Sequence, residues 1–217
     1  NLGIVLQYLG RLYEAEACLK KALALDPTFD EVHYNLGNVL RDSGRVKESE
    51  TSYLRALSLN PTNARAYNNL GNLLKDLARL PEAEANLRKV IELNPESAVG
   101  YFNLGDVLRS MDKLEDAQAS LKQAITLMPG YIDAHTNLAG ILTKLERFEE
   151  AIHHFDMVDN PDSQAQSLEC LYRLQRYQDF DNRLAKISEL PNINLRIAAV
   201  SAFSAHQRRT NDPYNFC

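Results

Sequence analysis

Asparagine is the residue whose placement in this chain suggests the most chemistry. It stands at Asn1, Asn35, Asn69, Asn103 and Asn137, at intervals of 34 residues. A second row, Asn38, Asn72 and Asp106, follows three positions on, one turn away on the same face of a helix. A carboxamide side chain both donates and accepts hydrogen bonds. One such group can therefore hold a peptide unit at two points, whatever the sequence of that peptide. Asparagine is a poor residue for a helix interior, by about 0.5 kcal/mol against the best formers. Its recurrence thus asks for a reason beyond helix formation. Two reasons are open at this level: contact with a bound segment, and hydrogen bonding between successive units of the chain.

A basic row, Arg41, Lys75 and Arg109, follows on the same beat, with Asp42 and Asp76 beside it. It could grip acidic side chains of a ligand through charge-assisted hydrogen bonds, or form a self-paired, solvated helix end. Tyr34 and Phe102 precede two of the asparagines. They offer flat apolar surface either to a ligand or to the neighbouring unit.

Catalytic chemistry is thinly represented. His154-Phe155-Asp156, with His206 as a third ligand, matches the ligand set of a non-haem iron site, but Phe155 falls where the repeat places a core residue. His153 and His154 are adjacent and point in different directions around a helix. The chain holds no Gly-rich phosphate loop, GxSxG, HExxH or CxxC motif. Cys18, Cys170 and Cys217 are far apart and read as a reduced set with no disulfide or zinc framework. The expectation is a stretch that is not itself an enzyme and needs no cofactor or metal.

These residues are set on a repeated scaffold. Asn-Leu-Gly recurs at 1–3, 35–37, 69–71 and 103–105, weakened to Asn137-Leu138-Ala139, and prolines follow in phase at Pro27, Pro61, Pro95 and Pro129. In the unit 30–63, Val32, Leu36, Val39 and Leu40 line one face of a first helix, Asp30 to Ser43. Ser43-Gly44-Arg45 turns the chain. A second helix runs from Val46 to Leu59, with Tyr53, Ala56 and Leu57 inward, and Asn60-Pro61 ends it. Gly3, Gly37, Gly71 and Gly105 sit inside first helices, where Gly is unfavourable by roughly 0.5–1 kcal/mol, so another helix must come very close. A helix pair of this length cannot bury its apolar face alone, and its copies must stack.

The net charge of −5, without long blocks of like charge, argues for a protein or peptide partner and against a nucleic-acid or acidic-membrane surface. No apolar run reaches the ~20 residues of a bilayer span, and no stretch of these residues reads as a signal peptide. A cytoplasmic location is expected. The start at Asn1, inside a repeat, reads as a piece of something longer.

The pattern resembles the tetratricopeptide repeat. Leu36-Gly37, Leu40, Tyr53, Ala56 and Pro61 carry the likeness, followed by Leu70-Gly71, Leu74, Leu87, Val90 and Pro95 in the next unit. Tyr67 and Tyr101 supply the aromatic with which the first helix often begins, and His33 and His135 depart from that habit. The resemblance implies an all-α, right-handed superhelical solenoid of antiparallel helix pairs with a binding groove on its concave side. The phrase Asn-Asn-Leu-Gly-Asn at 68–72 is similar to the asparagine ladder of the superhelical domain of O-linked N-acetylglucosamine transferases. The clamp by which a subgroup of the family holds acidic chaperone tails needs Lys or Arg before the asparagines. Tyr34, Asn68, Phe102 and Thr136 stand there instead, which disfavours that role.

The expected organisation is a repeat array over 1–160 (1–29 partial, then 30–63, 64–97, 98–131 and 132–160). A degenerate sixth unit over 161–194, a capping helix over 195–209 and a tail or linker over 210–217 complete it. Leu171, Leu174, Arg176-Tyr177, Phe180 and Leu184 repeat the sequence around 142–155 at a spacing of 29. With helices about 8–10 Å apart and an extended strand rising ~3.3 Å per residue, one asparagine per unit would meet a peptide about every three residues. The functional expectation is a scaffold that holds an extended segment of a partner. Two alternatives are a substrate-recruiting array of a larger glycosyltransferase or 2-oxoglutarate oxygenase, and a self-assembly module.

Overall fold

The computed structural model describes residues 2–158 and 160–188; Asn1, the expected capping helix and the tail lie outside the described residues. Every regular element among the described residues is α-helical. They are α1 (Leu2–Tyr8), α2 (Leu12–Leu25), α3 (Asp30–Asp42), α4 (Val46–Leu59), α5 (Ala64–Asp76), α6 (Leu80–Leu93) and α7 (Ala98–Ser110). α8 (Leu114–Leu127), α9 (Ile132–Lys144), α10 (Phe148–Asp156), α11 (Pro161–Arg173) and α12 (Tyr177–Ser188) follow. The chain divides into two compact units, Asn1–Ser120 and Leu121–Cys217.

In the first unit each hairpin is closed by the same short turn. The chain leaves the first helix through a left-handed residue, Gly10 (φ 72°), Gly44 (73°), Ala78 (57°) or Asp112 (57°). The next backbone N–H then returns to the helix end, as Arg45 N does to Leu40 O at 2.9 Å. The link to the following first helix is equally regular. Asp26, Asn60 and Asn94 each accept from the backbone N–H two residues on, closing an Asx turn around the proline. Asn63 and Ser97 then cap α5 and α7 from their side chains.

The helices of a pair touch where the sequence repeats glycine. A Cβ on Gly37 would lie 2.6 Å from the Tyr53 ring, and one on Gly71 would lie 2.8 Å from Leu87 Cγ. Tyr53 and Leu87 are fully enclosed, and Val32, Leu36, Val39, Leu40, Ala56 and Leu57 complete the core of the α3–α4 pair as expected. Ser49 Oγ donates to Gly37 O at 2.7 Å across the same contact.

A second regularity ties one pair to the next. Arg45, Arg79 and Lys113, at the turn into each second helix, reach back 29 residues to Glu16, Glu50 and Glu84 at 2.7, 2.7 and 2.9 Å. The glutamate side chains are only 10–20% exposed, so the pairs lose less to solvent screening than surface bridges do. Hydrogen bonds from Lys20 and Arg45 hold the Glu16 carboxyl below its ordinary range despite its burial.

In the second unit Ala134, Leu138, Ile141, Leu142, Ala151 and Phe155 fill α9–α10, and Ala165, Leu168, Leu171, Phe180 and Ile187 fill α11–α12. Asn160 caps α11, accepting from Ser163 N at 2.8 Å, with Pro161 in the first turn. The left-handed turn residue recurs at Glu146 (φ 58°) and Gln175 (58°), the same 29-residue interval read from the sequence. Arg183 grips Asp156 at 2.6 and 2.7 Å and also meets Ser167.

Two substitutions of the same size should have opposite signs. Gly37→Ala places a methyl against the Tyr53 ring and should lower stability by about 1–3 kcal/mol. Ala78→Gly relieves a left-handed alanine and should raise it by about 0.5 kcal/mol. Urea midpoints of the two variants test both; equal shifts would refute the close-contact reading of Gly37.

Candidate functional site

The asparagine rows fall on α3, α5 and α7 of the first unit, with Asn137 on α9 of the second. Asn38, Asn69, Asn72, Asn103 and Asp106 are half-buried, and so are Tyr34, Phe102 and Asn137. Asn35 is 6% exposed and makes no side-chain hydrogen bond among the described residues.

The amides form a chain with a direction. Tyr53 O–H donates to Asn38 Oδ1 at 2.7 Å, and Asn69 Nδ2 donates to the same oxygen at 2.8 Å. Asn69 Nδ2 also donates to Tyr34 Oη at 3.3 Å. Asn68 Nδ2 donates to Asn69 Oδ1 at 3.4 Å, and Asn103 Nδ2 donates to Asn68 Oδ1 at 2.8 Å. Burial pushes the Tyr53 phenol up, which keeps it a donor and fixes the sense of the first link. The chain thus joins three successive first helices. Asn72 stands outside it, with no side-chain hydrogen bond among the described residues. The residue equivalent to Tyr53 in its own pair is Leu87, which has no hydroxyl to offer.

The basic row is paired within the protein. Asp106 accepts from Lys75 Nζ at 2.9 Å and from Arg109 Nη2 at 2.6 Å. Burial of Asp106 would raise its pKa, and the two cations outweigh that, holding the carboxyl below its ordinary range. Arg109 Nε is buried without a partner. Arg41 leans on Asp42 at 3.3 Å, and Asp42 also accepts from Gln7 at 2.7 Å.

A cleft of about 240 Å³ opens beside the chain. Tyr34, Ala64, Arg65, Asn68, Asn69, Val90, Asn94, Ser97 and Val99 line it. The Arg65 guanidinium lies over the Tyr34 ring, 5.2 Å from its centroid. Of these residues, the sequence pattern pointed to Tyr34 and Asn69. Asn68 stood in plain view in the phrase at 68–72. Arg65, Asn94 and Ser97 belong to the inter-pair loop or the first helical turn, where nothing in the 34-residue beat distinguishes them from ordinary caps.

The histidines serve packing. His33 and His135, where an aromatic was expected, lie 3.0 and 2.9 Å through Nε2 from the carbonyls of Pro27 and Pro129. The carbonyl accepts, so His135 carries its proton on Nε2, and His154 Nδ1–H donates to His135 Nδ1 at 2.9 Å. Asp156 is held by Arg183. No cluster of three metal-ligating side chains occurs among the described residues. His206, the third member of the iron set weighed above, lies outside them. Burial, then His135, His153 and Lys122, push His154 down to about 4, against Glu150. The unfolded chain takes up this proton near pH 6.5 and the folded one only near 4, so acid favours unfolding across that window. From pH 7 to pH 4.5 the second unit should lose about 1 kcal/mol through this group, allowing for its partial exposure. His154→Gln should flatten that limb in urea titrations, and an unchanged limb would refute the assignment.

Comparison with known proteins agrees with this architecture. The profile described as TPR repeat matches residues 3–41 and 37–77, and those described as tetratricopeptide repeat match 62–130 and 108–169. No curated protein matches the sequence significantly. Among solved structures, Pseudomonas aeruginosa PilF superposes with a TM-score of 0.77 at 23% identity, covering 93% of this chain and 94% of its own. MamA gives 0.67 at 25% identity, over 82% and 98%. YrrB, titled a TPR protein with an unusual peptide-binding site, gives 0.65 at 26% identity, over 81% and 89%. With the repeat profiles spanning residues 3–169 and the helix pairs closing as the sequence pattern requires, the chain belongs to the tetratricopeptide repeat family.

Proposed function

We propose that this chain is a protein-interaction module that holds an extended segment of a partner along the face formed by α3, α5 and α7. The observation that carries this reading is the unspent hydrogen-bonding capacity of that face. Asn72 has its whole amide uncommitted, and Asn38 Nδ2 and Asn103 Oδ1 have no partner among the described residues. These groups are half-buried on the first helices, and polar groups withdrawn from water are normally satisfied. Arg41, Lys75 and Arg109 would add a bias toward acidic segments, reduced by their pairing with Asp42 and Asp106. Tyr34 and Phe102 would pack on ligand side chains. Asn35, buried beside the row, would extend the set, and Asn137, on α9, would have the same role within the second unit. The likeness of 68–72 to the O-linked N-acetylglucosamine transferase ladder supports the same backbone-directed grip, as does the peptide-binding site named for YrrB. The chemistry proposed for the chain is binding, in a reducing compartment such as the cytoplasm. No described helix is long and apolar enough to cross a membrane.

A photo-crosslinking amino acid at position 72 should capture a partner from extract of the source cells, whereas the same group at exposed Leu54 on α4 should not. Crosslinking to the same partner at both positions, or at 54 alone, would place binding elsewhere.

A second reading, self-association, has its own observation. Leu2, Val5, Tyr8, Leu9 and Tyr13, on α1, α2 and the turn between them, are 54–89% exposed, a concentration of apolar surface that a second copy could cover. In sedimentation velocity, Leu9→Glu should return a concentration-dependent dimer to monomer. A parent chain that stays monomeric at about 100 μM rules this reading out.

A further inference from the structure

We infer that the cleft beside the asparagine chain is a carboxylate seat, taking an aspartate or glutamate side chain of the bound peptide. The inference deepens the reading above and rests on it.

Each polar side chain around the cleft, Arg65 apart, already has an acceptor in use within the protein. Tyr34 Oη accepts from Asn69, Asn69 Oδ1 from Asn68, and Asn68 Oδ1 from Asn103. Asn94 Oδ1 accepts from Glu96 N at 3.2 Å and Ser97 Oγ from Gly100 N at 3.0 Å. Several donors remain unspent. The Tyr34 and Ser97 hydroxyl hydrogens, both hydrogens of Asn94 Nδ2 and one of Asn68 Nδ2 have no partner among the described residues. Arg65 brings a full positive charge and five N–H groups. Its one acid, Glu31, stands off at 3.9 Å.

No acidic residue lines the cleft, and Ala64, Val90 and Val99 give it apolar surface. Donors above apolar walls match a side chain with methylenes below a carboxylate. A carboxamide of the same shape would turn its NH2 toward donors already short of acceptors. The seat also differs from the basic row, where Asp106 offsets the charge of Lys75 and Arg109.

The test uses the whole chain and three fluorescent peptides identical but for one residue type: (Gly-Ser-Glu)4, (Gly-Ser-Gln)4 and (Gly-Ser-Lys)4, read by anisotropy up to about 1 mM. The Glu peptide should bind at least tenfold more tightly than the Gln peptide, and the Lys peptide should not bind. Tyr34→Phe, which keeps the ring under Arg65 and removes one hydrogen, should weaken the Glu peptide about tenfold, the scale of one hydrogen bond to a charged group. Arg65→Gln should abolish the preference for Glu over Gln, with circular dichroism unchanged in both variants. A Glu preference that survives both substitutions would assign it to Arg41, Lys75 and Arg109 and overturn the seat. Equal binding of the Glu and Gln peptides overturns the seat and leaves peptide binding standing. Failure of all three peptides overturns the seat and the groove reading together.

Discussion

The close approach of the two helices in each pair is the constraint on which the remaining structure depends. At Gly37 the backbone of α3 comes so near α4 that the Tyr53 ring occupies the space a Cβ would need. Interiors packed to crystal-like density do not absorb an added methyl without movement. The period, the small residue on the first helix and the large one on the second are therefore one requirement seen in three places. Gly3 against Leu19 and Gly71 against Leu87 repeat it with aliphatic partners.

That contact also organises the polar face. Because the Tyr53 ring sits against Gly37, its hydroxyl reaches the side chain of the next residue, at Asn38 Oδ1. The first amide oxygen of the row is thereby occupied, and the chain through Asn69, Asn68 and Asn103 runs in one sense from it. The adjoining pair packs with Leu87, has no hydroxyl, and leaves Asn72 uncommitted. Packing on one side of the helix thus decides which amides are spent and which are available on the other. The first helices carry the neutral amides, and the braces run from the turns at Arg45, Arg79 and Lys113 to glutamates on the preceding second helices.

Much of this was legible in the sequence, because the signals were strictly periodic. The bounds of α4, the close helix approach at Gly37 and the buried identity of Val32, Leu36, Val39 and Leu40 follow from spacing alone. The 29-residue interval before Gln175 was equally readable, and the left-handed turn falls on it. The braces are not legible there, although Arg45, Arg79 and Lys113 recur on the same beat. Their partners lie 29 residues back, an interval that depends on how pairs stack and not on either helix by itself. The histidines at 33 and 135 looked like departures from pattern. Each in fact keeps a polar atom on a proline carbonyl that the sequence does not reveal as exposed to it.

The asparagines show why bridging and ligand contact need not compete. A carboxamide has two lone pairs and two hydrogens, and a bridge between repeats uses only part of that capacity. Which part it uses carries the information: bridges that consume oxygens leave hydrogens. An asparagine row in a helical array is therefore polarised by its own internal bonds, and the polarity fixes the complementary chemistry of whatever lies against it. In this chain Asn38 Oδ1 accepts twice and the oxygens of Asn68 and Asn69 once each, while hydrogens of Asn38 and Asn68 remain. On the reading proposed for the cleft, the central stretch of the face meets acceptors, and the same bonds that hold the repeats in register set that demand.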